Sequence, residues 1–338
     1  MNFEREGYTF VWKVENLSCA WQRVGKKIES PIFTLDAIEK TRWRLVLYPK
    51  GEKIGNYISL YLKRLEGSKG SKVIAIDYEL SFLTRDGEIL KPNFVSNDTF
   101  QKGQAKGASQ FKMRDETFQS KCVDEDILTA YCRIWVSSRK NTGSARIFAS
   151  TIINIDKFSF VWDIENFSKM EISQRNDYVI KSALGDHMVT LELFLTVDNS
   201  DELINIYVKT FNQNIKFFRL NSCLLDATGN RTNSGMQEFR AKDLLAGEKL
   251  ILISKKKLVE KKNIYLPNDI LSLNCECDFS TKIAFEGIER IEHGISSKFK
   301  KERTENILSM PSIPLVDALR SMYSEGLFCD TELLTRAF

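Results

Sequence analysis

The chain has 338 residues, with 49 Lys+Arg against 45 Asp+Glu, a formal net charge of +4, 43% hydrophobic and 28% charged residues. These values exclude a chain that is disordered over most of its length, and they suit about two domains, each large enough to bury its own core. Only two histidines are present, His187 and His293, which excludes most zinc chemistry and disfavours a Ser-His-Asp or Cys-His catalytic site.

The N-terminus, MNFEREGYTF, lacks the apolar run of a signal peptide, and no stretch of about 20 apolar residues follows to span a membrane. The expectation is a soluble intracellular protein of the cytoplasm and/or nucleus, with no membrane partner. TFVWKV, WRLVLYP, YISLYLKRL, VIAIDYELSFL and AYCRIWV are short, aromatic and β-branched, which predicts strands. Turn signals separate them at Pro49–Gly51, Gly67–Gly70, Arg85–Gly87 and Gly103–Gly107. Alternation predicts Phe10, Trp12, Leu45, Leu47, Leu60 and Leu62 as inward-facing.

The opening then recurs. YTFVWKVENLS at 8–18 returns as FSFVWDIENFS at 158–168. Tyr57–Lys63 is answered by Leu203–Lys209, and Asp126-Ile-Leu…Cys132 by Asp269-Ile-Leu…Cys275, with the offset drifting from 150 through 146 to 143. Three matches in the same order predict a duplicated domain with small deletions in the second copy. That copy offers FSFVWDI, MVTLELFLTV, LINIYVKTF, KFFRLNSCLL, KLILISKK and LSLNCECDF as strands. Neither copy holds a long 3.6-residue period, so the fold class is mainly β, antiparallel sandwich or barrel. Trp12 and Trp162 occupy one repeat position and are expected as core anchors. The seven cysteines, Cys19, Cys122, Cys132, Cys223, Cys275, Cys277 and Cys329, are odd in number and irregularly spaced. They suggest buried free thiols rather than disulfides or a metal site.

From about residue 283 the sequence becomes polar and charge-rich, and 283–311 is expected as a charged linker. Its run Lys298–Arg303 carries a net +3, too short on this chain to argue strongly for nucleic acid. Leu315, Leu319, Met322 and Tyr323 share a helical face, with Ser312 as N-cap, Pro314 in the first turn and Gly326 as the stop. Phe328–Leu334 reads as one strand. A helix and a strand alone cannot bury a core.

Each copy resembles a MATH (meprin and TRAF homology) domain. The resemblance is carried by FVWKVENLS and FVWDIENFS, by YISLYLKRL and INIYVKTF, and by the closing D-I-L…C strand. The tail LVDALRSMYSEGLFCDTELLTRAF resembles the start of a BTB/POZ domain at Phe328-Cys-Asp330. The order is similar to that of the speckle-type POZ protein family and its TD-and-POZ relatives. The resemblance implies two eight-stranded antiparallel sandwiches at 5–137 and 155–282, a linker, and a BTB fragment at 312–338. It also implies a non-enzymatic substrate adaptor of a cullin-type ubiquitin ligase, acting in protein ubiquitination and proteasomal degradation. No cofactor, metal or catalytic residue is expected. The MATH domains would hold linear peptide motifs of target proteins, and a complete BTB would be needed for cullin binding and self-dimerisation. A TRAF-like scaffold for receptor or signalling peptides is the alternative, against which the missing heptads and zinc fingers count.

The family's peptide cleft can be carried over residue by residue. In the first copy Tyr61 and Tyr78 match two aromatic positions, the third falls near Asp98, and Lys106-Gly107-Ala108 stands where the family has Trp-Gly-Phe. In the second copy Tyr207 and Phe218 match, and the turn reads Ser234-Gly235-Met236. Gly107 to Phe111 and Gly235 to Phe239 keep one G-x-x-x-F spacing. Both copies lose the aromatics of the turn, so the family's Ser/Thr-rich degron is expected to bind poorly, at a cost of a few kcal/mol.

Overall fold

A computed structural model describes residues 7–119, 123–135, 144–182, 185–199, 201–210, 212–240 and 249–293. The first sandwich runs through β1 (Tyr8–Glu15), β2 (Ile28–Glu29), β3 (Phe33–Leu35), β4 (Thr41–Tyr48), β5 (Tyr57–Arg64), β6 (Val73–Leu83), β7 (Ile89–Gln101), β8 (Ala105–Met113), a short helix Arg114–Gln119, β9 (Val123–Asp124) and β10 (Ile127–Trp135). After it comes β11 (Ala145–Ile153). The second sandwich runs through β12 (Asp156–Ile164), β13 (Asn176–Lys181), β14 (His187–Asp198), β15 (Asp201–Thr210), β16 (Phe217–Leu225), β17 (Arg231–Arg240), β18 (Lys249–Ser254), short helices Lys255–Glu260 and Lys262–Tyr265, and β19 (Leu271–Ser280). β20 (Ile283–His293) follows.

The two sandwiches share one strand order. In the first, β1-β10-β6-β7 faces β2-β4-β5-β8; in the second, β12-β19-β16-β17 faces β13-β14-β15-β18. The alternating residues drive this pairing. Phe10, Trp12, Leu45, Leu47, Leu60 and Leu62 all point inward and are 0–1% exposed. Each such side chain contributes about 1.5–3 kcal/mol by burial. Trp162 is the matching anchor at 3% exposure. Five cysteines, Cys19, Cys132, Cys223, Cys275 and Cys277, are buried free thiols, with burial raising the thiol pKa of Cys275 to about 12.

The repeated E-N-x-S and D-I-L motifs meet in space. Asn16 and Asn166 adopt left-handed backbone at φ 60° and 52°, opening a 3-10 turn that buries Leu17 or Phe167. Asparagine tolerates this conformation better than most residues. Ser18 donates its N–H (2.8 Å) and hydroxyl (2.7 Å) to Asp126, and Ser168 donates the same two groups to Asp269 at 2.9 and 2.7 Å. Residues 108 and 101 positions apart thus staple the start of each sandwich to its final strand.

Two strands lie outside both expected sandwiches. β11 lies parallel to β1 and antiparallel to β20, extending the first sandwich's sheet to the order β20-β11-β1-β10-β6-β7. Trp12 Nε1 donates to Thr151 Oγ1 at 3.0 Å and Asn16 Nδ2 to the Ile153 carbonyl at 2.8 Å. The expected linker at 283–311 is therefore corrected over its first eleven residues: 283–293 form β20, returning to the first sandwich after the second is complete. An edge strand with one solvated face carries charges, and that is why it read as a linker. The Arg290 guanidinium stacks on Phe148 at 4.1 Å. The rest of the expected linker and the BTB-like helix and strand lie outside the described residues.

Candidate peptide-binding site

β8 ends the sheet β2-β4-β5-β8, and β7 ends the facing sheet. Among the described residues no strand pairs with their outer sides, which places open backbone next to the residues singled out by sequence. Tyr61 on β5 pairs with Gly107 on β8, and Leu60 with Ala108. A register shift falls next to this pairing, between Ile58 and Leu60. A Cβ on Gly107 would lie 2.1 Å from the Leu60 carbonyl oxygen and 2.7 Å from Tyr61 Cα. Only glycine fits so close an approach of two backbones. Part of the expected turn Gly103–Gly107 is thus strand: the reversal is complete by Gln104, and Ala105, Lys106 and Gly107 already pair with β5.

Tyr61 stands on the outer face of its sheet, since its neighbours Leu60 and Leu62 fill the core. Its hydroxyl donates to Glu52 Oε2 at 2.7 Å, and its ring meets Tyr48 edge-on at 5.9 Å. Burial, with Glu52 beside the hydroxyl, pushes its pKa up, so the phenol stays protonated. Tyr78 does not share this face. It is 2% exposed, packed edge-on to Phe100 at 5.5 Å inside the core. Its hydroxyl points to Asp98 Oδ2 at 3.4 Å, and Asp98 also takes the Lys106 ammonium, which sits 5.4 Å from the Phe100 ring centroid. Tyr78, Asp98 and Lys106 therefore bridge β6, β7 and β8 across the gap between the sheet edges. Asp98, at the position where a third aromatic was sought, is engaged within this bridge.

The second copy departs from the expected correspondence. Tyr207 on β15 does match Tyr61, but its partner across the sheet is Lys249 on β18. Gly235 and Met236 lie on β17 opposite Ser222 and Asn221, and β17 is the counterpart of β7, not of β8. The G-x-x-x-F spacing recurs for a different reason. Gly235 has φ 141° at a bulge between Ser222 and Cys223, and Phe239 packs against Phe218. Met236 is 62% exposed there. The side chain of Ser234 lies outside the described residues. Phe218 is also shifted: Tyr78 pairs with Ile134 and Leu220 with Cys277, so Leu220 is the counterpart of Tyr78, and Phe218 sits two residues away in the core at 0% exposure. Tyr207 itself has the Lys209 ammonium 5.4 Å from its ring, and Lys209 is ion-paired with Glu192.

Sequence reasoning missed Glu52, Tyr48 and Phe100 in this site. Their involvement depends on register and on β8 crossing β5, neither of which has a local signal. Among the described residues no group of three or more His, Cys, Asp or Glu could hold a metal ion, and no helix is long and apolar enough to cross a membrane.

Residues 9–134, the first sandwich, match the family model of the MATH domain. The chain is 29% identical over 147 residues to TD and POZ domain-containing protein 3 of Mus musculus, covering 40% of each chain. It is 31% identical over 130 residues to TD and POZ domain-containing protein 4 of Mus musculus, covering 37% of this chain and 35% of that one. The aligned stretch thus spans about two fifths or less of the relatives' length.

Proposed function

We propose that the chain is a non-catalytic adaptor whose MATH sandwich captures linear peptides of partner proteins, and that the second sandwich is a diverged MATH copy. The observation that carries this reading is the open edge of β8, which offers main-chain donors and acceptors to an added strand beside the exposed face of Tyr61. The MATH match of the same sandwich and the similarity to TD and POZ domain-containing proteins support a protein-binding role. The duplicated strand order and the repeated Ser–Asp staple support the second copy.

Lys106 and Ala108 in place of aromatics remove two apolar anchors, each of which typically carries about 2 kcal/mol or more. Peptides are therefore held by backbone pairing and Tyr61, and the Ser/Thr-rich degron of the speckle-type family binds weakly. We further place the chain among substrate-recognition subunits of cullin-type ubiquitin ligases. That step rests on the BTB/POZ resemblance of 312–338 and concerns a chain that carries a complete BTB domain; it is tested separately by cullin pull-down with such a chain, where co-purification supports it and a clean negative contradicts it. The peptide reading is tested by probing an array of random 12-residue peptides with the purified chain and with Tyr61→Ala. Binding lost in the variant supports it; an array blank at tens of micromolar overturns it.

A further inference from the structure

A second site lies where the two sandwiches meet. The 3-10 turn Leu17–Cys19 sits on the second sandwich: Ser280 Oγ donates to the Cys19 carbonyl at 3.1 Å, and Arg219 reaches the Ser18 carbonyl at 3.4 Å. Beside this contact opens a cavity of about 580 Å³, with Trp21 and Tyr48 from the first sandwich and Lys216 and Arg240 from the second on its walls. Arg23, Lys26 and Lys27 complete a lining of five cations, and no Asp or Glu among the described residues lines it. Two of the cations are compensated from outside: Lys27 pairs with Glu29 at 2.6 Å, and Arg240 approaches Glu238 at 3.9 Å. Lys26 and Lys216 are exposed and make no ion pair with any described carboxylate; Lys216 rests on the Trp21 ring at 4.7 Å. The turn that presents Lys26 is fixed, with Gly25 at φ 76° donating its N–H to the Gly51 carbonyl at 2.9 Å. Finally, Gln22 lines the cavity, is 8% exposed, and its Oε1 has no hydrogen-bond partner. A buried acceptor left unsatisfied costs about 1–3 kcal/mol.

We infer that this junction binds an acidic segment of a partner polypeptide, its carboxylates held by Lys26 and Lys216 and an apolar or aromatic side chain lying on Trp21 and Tyr48. The volume is of the size that takes an extended few-residue segment rather than a single small anion. The unpartnered Gln22 Oε1, an acceptor, and the aromatic wall give an amide-bearing, partly apolar chain more to meet than they give inorganic phosphate. Because residues from both sandwiches form it, the site exists only in the tandem arrangement; it shares Tyr48 with the Tyr61 face but needs no strand added at β8.

The test uses the full chain and the probe Ac-(Glu-Trp-Glu-Gly)3-NH2, titrated by calorimetry at 50 and 300 mM salt. Expected is micromolar binding that weakens at least tenfold at high salt, as a screened charge contact must. Lys26→Glu and Lys26→Glu/Lys216→Glu should weaken it at least tenfold. The same charge change at a distance, Lys282→Glu, should leave it within twofold. Lys26 is exposed, so its single variant remains folded, and an unchanged melting temperature certifies it. No binding overturns the inference. Equal loss in Lys282→Glu overturns it, as the signature of net charge alone. Full competition by millimolar inorganic phosphate, or tighter binding of a 12-nucleotide single strand than of the peptide, also overturns it in favour of a general anion or nucleic-acid site.

Discussion

Replacing Gly107 by alanine tests the geometry of the β8 edge. The added Cβ would lie 2.1 Å from the Leu60 oxygen, 2.7 Å from Tyr61 Cα and 3.0 Å from the Leu60 carbonyl carbon. All three are backbone atoms of the central strand, so no side chain can rotate away. β8 must retreat by about an ångström, which breaks the pairing of Ala105–Ala108 with Leu60–Lys63. Net loss of two or three ladder hydrogen bonds costs about 1–4 kcal/mol, against about 0.4–1 kcal/mol gained by stiffening the unfolded chain. The expected balance is a loss of about 1–3 kcal/mol. It should be seen as faster amide exchange confined to residues 105–108 and as a melting point lower by several degrees. Gly55→Ala is the control, because its Cβ would meet only the movable Val24 side chain at 3.3 Å. Unaltered exchange at 105–108 in Gly107→Ala would refute the close approach of β8 to β5, and with it the placement of Tyr61 at the candidate site.

Arg64 is fully buried and donates to the carbonyls of Lys69, Ser71, Lys72 and Phe100; Arg64→Met strands these acceptors and should cost about 3–5 kcal/mol in urea unfolding, and a loss under 1 kcal/mol would show that the carbonyls find other partners. Thr151→Val keeps the side-chain shape but strands the buried Trp12 Nε1 donor and should cost about 1–3 kcal/mol, with amide exchange rising in β11 and not in β6. The two Ser–Asp staples should respond to pH in opposite senses. At the exposed Asp269, hydrogen bonds from Ser168 hold the carboxyl below its ordinary 3.8, so its stabilisation is present at neutral pH and lost as pH falls through the folded pKa. At Asp126, burial under the second sandwich outweighs the Ser18 bonds and raises the pKa; the fold favours the protonated form, and this contribution grows as pH falls from neutral. Asp269→Asn should therefore lower the melting temperature at pH 7 more than at pH 3, whereas Asp126→Asn should compare better with the unsubstituted chain at pH 7 than at pH 4. Parallel pH profiles for the two variants would contradict the junction that buries Asp126.

The sandwiches themselves were legible because their strands alternate and because the chain repeats. Phe10, Leu45 and Leu60 are inward in the structure as their spacing predicts. The staple was half visible: the motifs E-N-x-S and D-I-L were recognisable as repeats, but their meeting, Ser18 on Asp126, joins residues far apart in sequence. β20 was hidden by its own charges, since Glu286, Glu289, Arg290 and Glu292 suit a solvated edge as well as a linker. The candidate site was legible in its first copy at Tyr61 and Gly107, which β5 and β8 bring into register. It was not legible in the second, where a glycine-to-phenylalanine spacing arises from a bulge on β17. Tyr78 shows a further limit: alternation puts it on the core face of β6 while Tyr61 faces outward on β5, and resemblance by position does not carry that sidedness.

The central claim is that peptides add to the β8 edge. Amide hydrogen exchange of the chain, with and without a peptide selected from the array, tests it most directly. The expected result is at least tenfold slower exchange at amides within 105–113, with the second sandwich unaffected. Protection appearing elsewhere, with 105–113 unchanged at saturating peptide, would contradict it.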